Sequence, residues 1–357
     1  MKLITDWFRQ QFSNPQVVFL SLFLLALFVV VVILGEMLAP VLAAVVIAYL
    51  LEGLVHTLEE KKLPRLLAVL IVYCAFLLFV VIILFGLLPL LSAQVSEFVQ
   101  QIPSMLASGQ NHLLKLPERY PEIISAQQID EIMVLIRTEL TSWGQKLLSV
   151  SLASVMGLIT ILVYLILMPI LVFFLMKDKE PLVSWVGRFA PRDHQLVSEV
   201  WSEVDRQIGN YVRGKFWEIL IVWFACLVTF SVLGLQYTML LSVLVGLSVL
   251  IPFVGAAVVT IPVVFVAWFQ WGFGSEFMIL VAAYLIIQAL DGNLLVPTLF
   301  SEVNNLHPVA IIAAVLIFGG IWGVLGIFFA IPLATLVHAV LNAWPAGERL
   351  DAGQQGS

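Results

Sequence analysis

An all-α integral membrane protein with about eight hydrophobic segments is the fold class this chain predicts, on three observations. Of its 357 residues 62% are hydrophobic and only 11% charged, and the mean hydropathy is +1.08, outside the range of soluble globular domains. Apolar runs long enough to cross a hydrocarbon core of roughly 30 Å recur along the chain. Two of them, 239–271 and 309–341, are interrupted near their middles by proline or glycine, which predicts broken or re-entrant helices. The net charge of -6 is scattered over separate loops, so nothing suggests a nucleic-acid partner. Cys74 and Cys226 each lie inside an apolar run and outside any Cys/His cluster; both read as small core residues.

Two spans open the chain, 17–34 and 38–54, joined by Gly35-Glu36-Met37, which reads as a tight turn at the membrane surface. The first follows Lys2 and Arg9 in the manner of a signal peptide. It is long enough to span and lacks a small-residue cleavage site, so it is expected to stay as an uncleaved helix. A third span covers 66–91. Lys61, Lys62 and Arg65 ahead of it place that loop, and with it the N-terminus, in the cytoplasm by the positive-inside rule. These spans form an N-terminal region, 1–91.

The next region, 92–150, then faces outward. Pro103, Pro117 and Pro121 punctuate it, and Ile129, Met133, Ile136, Leu140, Trp143 and Leu147 follow at spacings of four and three, as in an amphipathic helical loop. The seam fits either a helix folded onto its own neighbours or a contact between subunits. A homo-oligomer is expected on the second reading. A fourth span, 151–176, contains Pro169, which removes a helical hydrogen bond and predicts a kink. The linker 177–215 carries Lys177, Lys179, Arg188, Arg192, Arg206, Arg213 and Lys215, a basic cluster that is cytoplasmic by the same rule. Within it Val197, Val200, Val204, Ile208 and Tyr211 make one apolar stripe, predicting an interfacial helix.

Function concentrates in 216–345, a transport core of two broken-helix units, and 346–357 is expected to be a disordered tail. The fifth span, 216–233, leads into the run broken at Ile251-Pro252-Phe253-Val254-Gly255. The sixth, beginning at Phe277, leads into the run broken at Gly319-Gly320-Ile321-Trp322-Gly323. Each run carries Ile-Pro at the same place, at Pro262 and Pro332. A straight helix as long as either run would reach about 50 Å, well beyond the hydrocarbon thickness. Two hairpins would give an inverted repeat with discontinuous helices around a midplane site. The alternative is a set of ordinary kinked spans.

The polar stretch between the two broken runs is the strongest functional pointer. If the helix from Phe277 enters at one membrane face, Asp291 lies about 21 Å along it, inside the hydrocarbon core. A carboxylate at that depth costs at least ~2.5 kcal/mol and marks an ion or substrate path, unless it caps a broken helix end or pairs across the bundle. As a carrier it could load and release a proton or cation. Gln288, Asn293, Asn304, Asn305 and His307 are further candidates for the path, as donors and acceptors to a polar solute. Asn304 and Asn305 also suit loops or caps, and His307 a packed or interfacial place. Gly292 and Pro297 weaken the helix just beyond Asp291, and irregular backbone at that depth needs protein or a wet cavity around it. Pro252, Phe253, Gly255, Pro297, Gly319, Gly320 and Gly323 are therefore expected to line the path, close helix packing being the simpler meaning of the glycines. Glu36, Glu52 and Glu218 lie near predicted helix ends and read as interfacial.

Other chemistry finds little support. Gly209 to Lys215 imitates the start of a nucleotide-binding loop, but Phe216 stands where Ser or Thr must hold magnesium. The five histidines are scattered, HExxH and Gly-x-Ser-x-Gly are absent, and no catalytic residue, metal or cofactor is expected.

Several short stretches together carry a resemblance. Tyr211-Val212-Arg213-Gly214 enters a span, and Ile251 to Gly255 is followed by Ile261-Pro262. Next come Asn293-Leu294-Leu295-Val296-Pro297, Leu306-His307-Pro308, and Gly319-Gly320 through Gly323, Gly326 and Ile331-Pro332. In this order and spacing they resemble the autoinducer-2 exporter family of bacterial inner-membrane permeases. The resemblance implies a multi-pass transporter of the inner membrane, and the C-terminus is expected in the cytoplasm together with the N-terminus. Some members are associated with export of a small furanone-type signal and others with sodium/proton exchange. Three expectations result: a permease moving a small polar solute or signal outward by a secondary or facilitated mechanism, a sodium/proton antiporter using Asp291, and a non-transporting membrane scaffold. The partners would be the lipid bilayer and a small-molecule or ion substrate.

Overall fold

A computed structural model describes residues 15–113, 131, 134, 138, 155–188, 195–252, 254–300 and 307–343. These residues are helical almost throughout, with no strand among them, and five helices among them are long and apolar enough to cross a membrane. The fold is the all-α membrane class expected. The seam between Ile129 and Leu147, Phe253, Asn304, Asn305 and the tail lie outside the described residues.

Helix α1 (Pro15–Glu60) is a single element of 46 residues, about 69 Å long. The turn expected at Gly35-Glu36-Met37 does not form. One interior glycine costs a helix only about 1 kcal/mol, and Glu and Met are good helix formers. Helix α2 (Arg65–Ile82) passes through a five-residue π turn, Ile83–Leu87, into α3 (Leu88–Leu113). The third apolar run therefore continues as helix well past residue 91.

Helix α4 (Val155–Lys177) holds Pro169, and α5 (Lys179–Gly187) follows it. Helix α6 (Gln195–Leu233) then runs unbroken for 39 residues. The apolar stripe ending at Tyr211 is thus the first half of the helix that enters the fifth span, where a separate interfacial helix was expected. Nothing in Arg213-Gly214-Lys215 stops it, since a single glycine is the only weak helix former there. Tyr211 is 1% exposed, packed in the interior where an interfacial side chain would be wetted.

Both interrupted runs fold back on themselves. Helix α7 (Thr238–Ser248) has 11 residues, about 16 Å, too short to cross a bilayer. After the break α8 (Val254–Trp271) packs against it. The two backbones meet so closely that a Cβ on Gly255 would stand 1.7 Å from the Ser248 carbonyl oxygen. In α11 (Pro308–Ala343) the reversal is at Gly323, with φ 60° and ψ -135°, a conformation open in practice to glycine alone. Beyond it, a Cβ on Gly326 would lie 1.8 Å from the Phe318 carbonyl oxygen. In a straight helix those residues would be about 12 Å apart along the axis.

Between the hairpins lie α9 (Ser275–Leu290), a π turn at Asp291–Leu295, and the short α10 (Val296–Leu299). The helix expected to weaken at Gly292 and Pro297 stays helical by widening. Pro297 cannot donate to the ladder, and the wide turn, closed by the Val296 N–H on the Asp291 carbonyl, passes the irregularity along without unwinding.

The chain forms two compact units. Unit 1 comprises 1–73, 167–214 and 300–357. In it Ala44, Ala48, Leu51 and Val55, at spacings of four, three and four, make the buried edge of α1, and α1 packs against α11. Tyr211 Oη donates to the Phe328 carbonyl at 3.1 Å. Arg65 reaches three acceptors: Glu59 and Glu52, each at 3.3 Å, and the Met176 carbonyl at 3.0 Å. Lys179 also binds Glu52, at 3.1 Å, so Glu52 belongs to an ion network.

Unit 2 comprises 74–166 and 215–299. Its core joins Val222, Cys226 and Phe230 of α6 to Leu241 and Val245 of α7, Val263 and Val266 of α8, and Leu280 and Tyr284 of α9. Side-chain amides pin the entry to α7. Gln94 of α3 accepts the Leu240 N–H at 2.8 Å, and Gln270 of α8 accepts from the Gln236 N–H while donating to the Gly234 carbonyl, both at 2.8 Å.

Candidate functional site

The site lies in unit 2 and follows from the phase of two helices. On α6, Lys215, Glu218, Val222, Cys226 and Phe230 recur at spacings of three and four, which puts them on one face, and all five are buried. On α9 and the turn after it, Phe277, Leu280, Tyr284 and Asp291 share a face in the same way and are also buried. Each face is mainly apolar and is driven inward by that. Its polar members are carried in with it.

Lys215 is the centre of the cluster. Its Nζ stands 2.7 Å from Glu218 Oε2 and donates to the Val249 carbonyl at 2.8 Å. Val249 is the residue just past the end of α7, so the ammonium sits at a helix C-terminus, where free carbonyls and the helix dipole both favour a cation. The Lys215 and Glu218 side chains are only 7% and 2% exposed.

Asp291 completes the charged group. It is 8% exposed, and its Oδ1 is buried with no hydrogen-bond partner among the described residues. The Lys215 ammonium attracts its carboxylate, and its own charge acts on Glu218 and on Cys226. Glu218 thus pairs directly with the ammonium while Asp291 acts on it through its charge, and among these three side chains the ionised forms carry one negative charge in excess. Farther along α9, Tyr284 Oη lies 3.0 Å from Thr260 Oγ1 of α8, and this hydroxyl pair extends the protic lining of the interior.

The residues singled out from sequence have different fates. Asp291 is buried among charged groups. Gln288, a turn earlier, is half-buried, with Nε2 inside and without a partner among the described residues. Asn293 is exposed and donates to the Ala289 carbonyl of its own helix at 2.8 Å. Pro252 and Gly255 belong to the α7–α8 break beside Val249, whereas Pro297 is exposed. In unit 1, His307 is exposed and its Nδ1 accepts the Val309 N–H at 3.3 Å, capping α11. Gly319 is half-buried, and Gly320 and Gly323 are exposed, around the reversal in that helix.

Lys215 and Glu218 were missed. Lys215 reads as one more cytoplasmic cation and Glu218 as interfacial, yet Glu218 is among the largest fully buried side chains. The signal was present in their three-residue spacing and in their register with Val222, Cys226 and Phe230. Gly209 to Lys215 is continuous α-helix, which is incompatible with a phosphate-cradling loop.

Comparison with known proteins bears on what such a site serves. The family model described as AI-2E family transporter matches residues 20–346. The chain is 47% identical over 348 residues to a candidate permease, PerM, of Escherichia coli K12, covering 98% of this chain and 99% of that protein. A candidate transport protein of Bacillus subtilis, YueF, is 27% identical over 314 residues, covering 87% of this chain and 84% of its own length. One from Thermotoga maritima is 24% identical over 329 residues, with 92% and 94% covered.

Proposed function

The chain belongs to the AI-2E family of transporters, and from that premise we propose that it is a permease moving a small polar solute or signal molecule outward across the bacterial inner membrane. The mechanism is secondary or facilitated, with Asp291 and Gln288 on the path and the α7–α8 break at its wall. One observation carries this reading: the buried Asp291 keeps a carboxylate oxygen that has no hydrogen-bond partner among the described residues. Such an oxygen loses water without gaining a replacement, which is unfavourable unless something polar visits it. The protein functions as a homo-oligomer with both termini in the cytoplasm.

A second reading is favoured by the excess negative charge of the cluster. Here the chain is a sodium/proton antiporter and Asp291 carries the two ions in turn. Everted vesicles separate the two. Sodium-driven proton movement that disappears in Asp291→Asn supports the antiporter. Accumulation of a furanone-type signal that disappears in the same variant, without sodium-driven proton movement, supports the permease. If Asp291→Asn leaves both unchanged, neither stands.

A further inference from the structure

Lys215 is bound in the way a free ion would be. Two of its partners are oxygens from different parts of unit 2: the Val249 carbonyl at the end of α7 and the Glu218 carboxylate on α6. The Asp291 carboxylate, at the end of α9, attracts the ammonium as well. A carbonyl at the end of a broken helix together with carboxylates is the donor set with which membrane proteins hold transported cations. Asp291 is more than nine-tenths buried and its Oδ1 has no hydrogen-bond partner among the described residues, which gives this set more acceptor capacity than one lysine uses there.

We propose that Lys215 is a tethered occupant of a monovalent-cation seat, and that the Val249 carbonyl, Glu218 and Asp291 hold one free ion of the ammonium or potassium size class when the lysine side chain withdraws. The contacts of 2.7 Å and 2.8 Å suit such ions. They are longer than the roughly 2.3–2.6 Å of calcium and the roughly 2.0–2.1 Å of magnesium. No group of three or more His, Cys, Asp or Glu positioned for a metal occurs among the described residues, which also disfavours a divalent ion. Lysine suits the role: its ammonium is a compact point charge on a flexible four-carbon stem, so it can leave and return without moving the backbone. Exchange between the tethered and the free cation then makes occupancy of the path depend on the α7–α8 break, because Val249 belongs to both.

This deepens the proposal that Asp291 is a carrier and rests on it, so the test reads binding rather than transport. Full-length protein in detergent is unfolded by heat in KCl, NaCl or methylammonium chloride, with tetramethylammonium chloride, too large for the seat, holding ionic strength constant. The wild type, with its seat filled, is expected to show no specific response. Lys215→Met is expected to gain about 2 °C or more as KCl or methylammonium rises from 1 to 100 mM. Adding Asp291→Asn should weaken that response about tenfold in concentration. If Lys215→Met does not accumulate, Lys215→Met with Glu218→Gln removes the buried pair together and keeps Asp291 and the Val249 carbonyl. It is read in the same way, at higher salt. A flat response in whichever variant folds, or a larger response to magnesium or calcium than to monovalent ions, overturns the inference. Transport lost in Asp291→Asn alongside a flat binding response would overturn the seat and spare the carrier. A binding response with transport intact in Asp291→Asn would do the reverse.

Discussion

Lys215 and Glu218 are one helical turn apart on α6, and their Nζ and Oε2 atoms stand 2.7 Å apart inside unit 2. Breaking a buried pair by removing one partner typically costs about 3–5 kcal/mol, while removing both together is often near neutral. In tetramethylammonium buffer, Lys215→Met is therefore expected to lose about 3–5 kcal/mol. Lys215→Met with Glu218→Gln should recover most of it. Chemical denaturation of the purified proteins measures both, and equal losses in the single and double variants would show that the pair is not coupled.

Asp291 and Asn293 are two residues apart and equally conspicuous in the sequence, yet one is buried among charges and the other bonds its own helix at the surface. Asp291→Asn is expected to reduce transport by about tenfold or more, equivalent to at least ~1.4 kcal/mol of lost interaction. Asn293→Ala should stay within about twofold, since it removes one exposed hydrogen bond worth about 1 kcal/mol to the helix. Initial rates in vesicles, normalised to protein level, provide the comparison.

Gly326 and Gly320 are close in sequence and differ in what surrounds them. A Cβ at Gly326 would meet the Phe318 carbonyl at 1.8 Å, whereas one at Gly320 meets nothing within 4 Å among the described residues. Gly326→Ala is expected to cost about 3 kcal/mol or more through forced displacement of backbone. Gly320→Ala should be neutral to within about 0.5 kcal/mol. The fraction of each variant that elutes as a single species in detergent, followed by thermal unfolding, tests this.

Arg65 ties Glu52, Glu59 and the Met176 carbonyl together, and its side chain is 30% exposed. Solvent screening limits such pairs, so Arg65→Ala is expected to cost about 1–2 kcal/mol. Raising the salt to 1 M should shrink the difference from wild type. Arg65→Lys should recover less than half, because a point charge cannot reproduce a planar fork engaging acceptors on several sides. Thermal unfolding at low and high salt would show whether it does.

The membrane class and the two breaks could be read from the sequence because they depend on composition and on the placing of prolines and glycines, whereas the choice between hairpins and kinked spans there depends on backbone contacts such as Gly255 on Ser248 and Gly326 on Phe318. Asp291 stood out for the same reason, as a carboxylate in an apolar run. Helix continuity did not show, since Gly35 in α1 and Gly214 in α6 have the composition of breaks while neighbouring residues sustain the helix. Lys215 was hidden for a different reason. The positive-inside rule counts cations near span ends and contains no term for the face they occupy, so a lysine turned inward scores like one in water. Only its register with Val222, Cys226 and Phe230 distinguishes it, and that register gains meaning once α6 is known to pass through unbroken.

The π turn at Asp291–Leu295 amounts to a spare residue threaded into a helix. Each α-helical residue turns the chain by about 100°, so if the same residues closed as a regular α-helix everything after the turn would be re-phased by roughly that angle. Leu295, which packs against the core of unit 2, would swing off its neighbours while Asp291 kept its aim. How far the carboxylate and its apolar backing agree in direction is therefore set by how the wide turn absorbs its extra residue, and a single-codon deletion at Gly292 would let the helix close as a regular α-helix with that agreement kept.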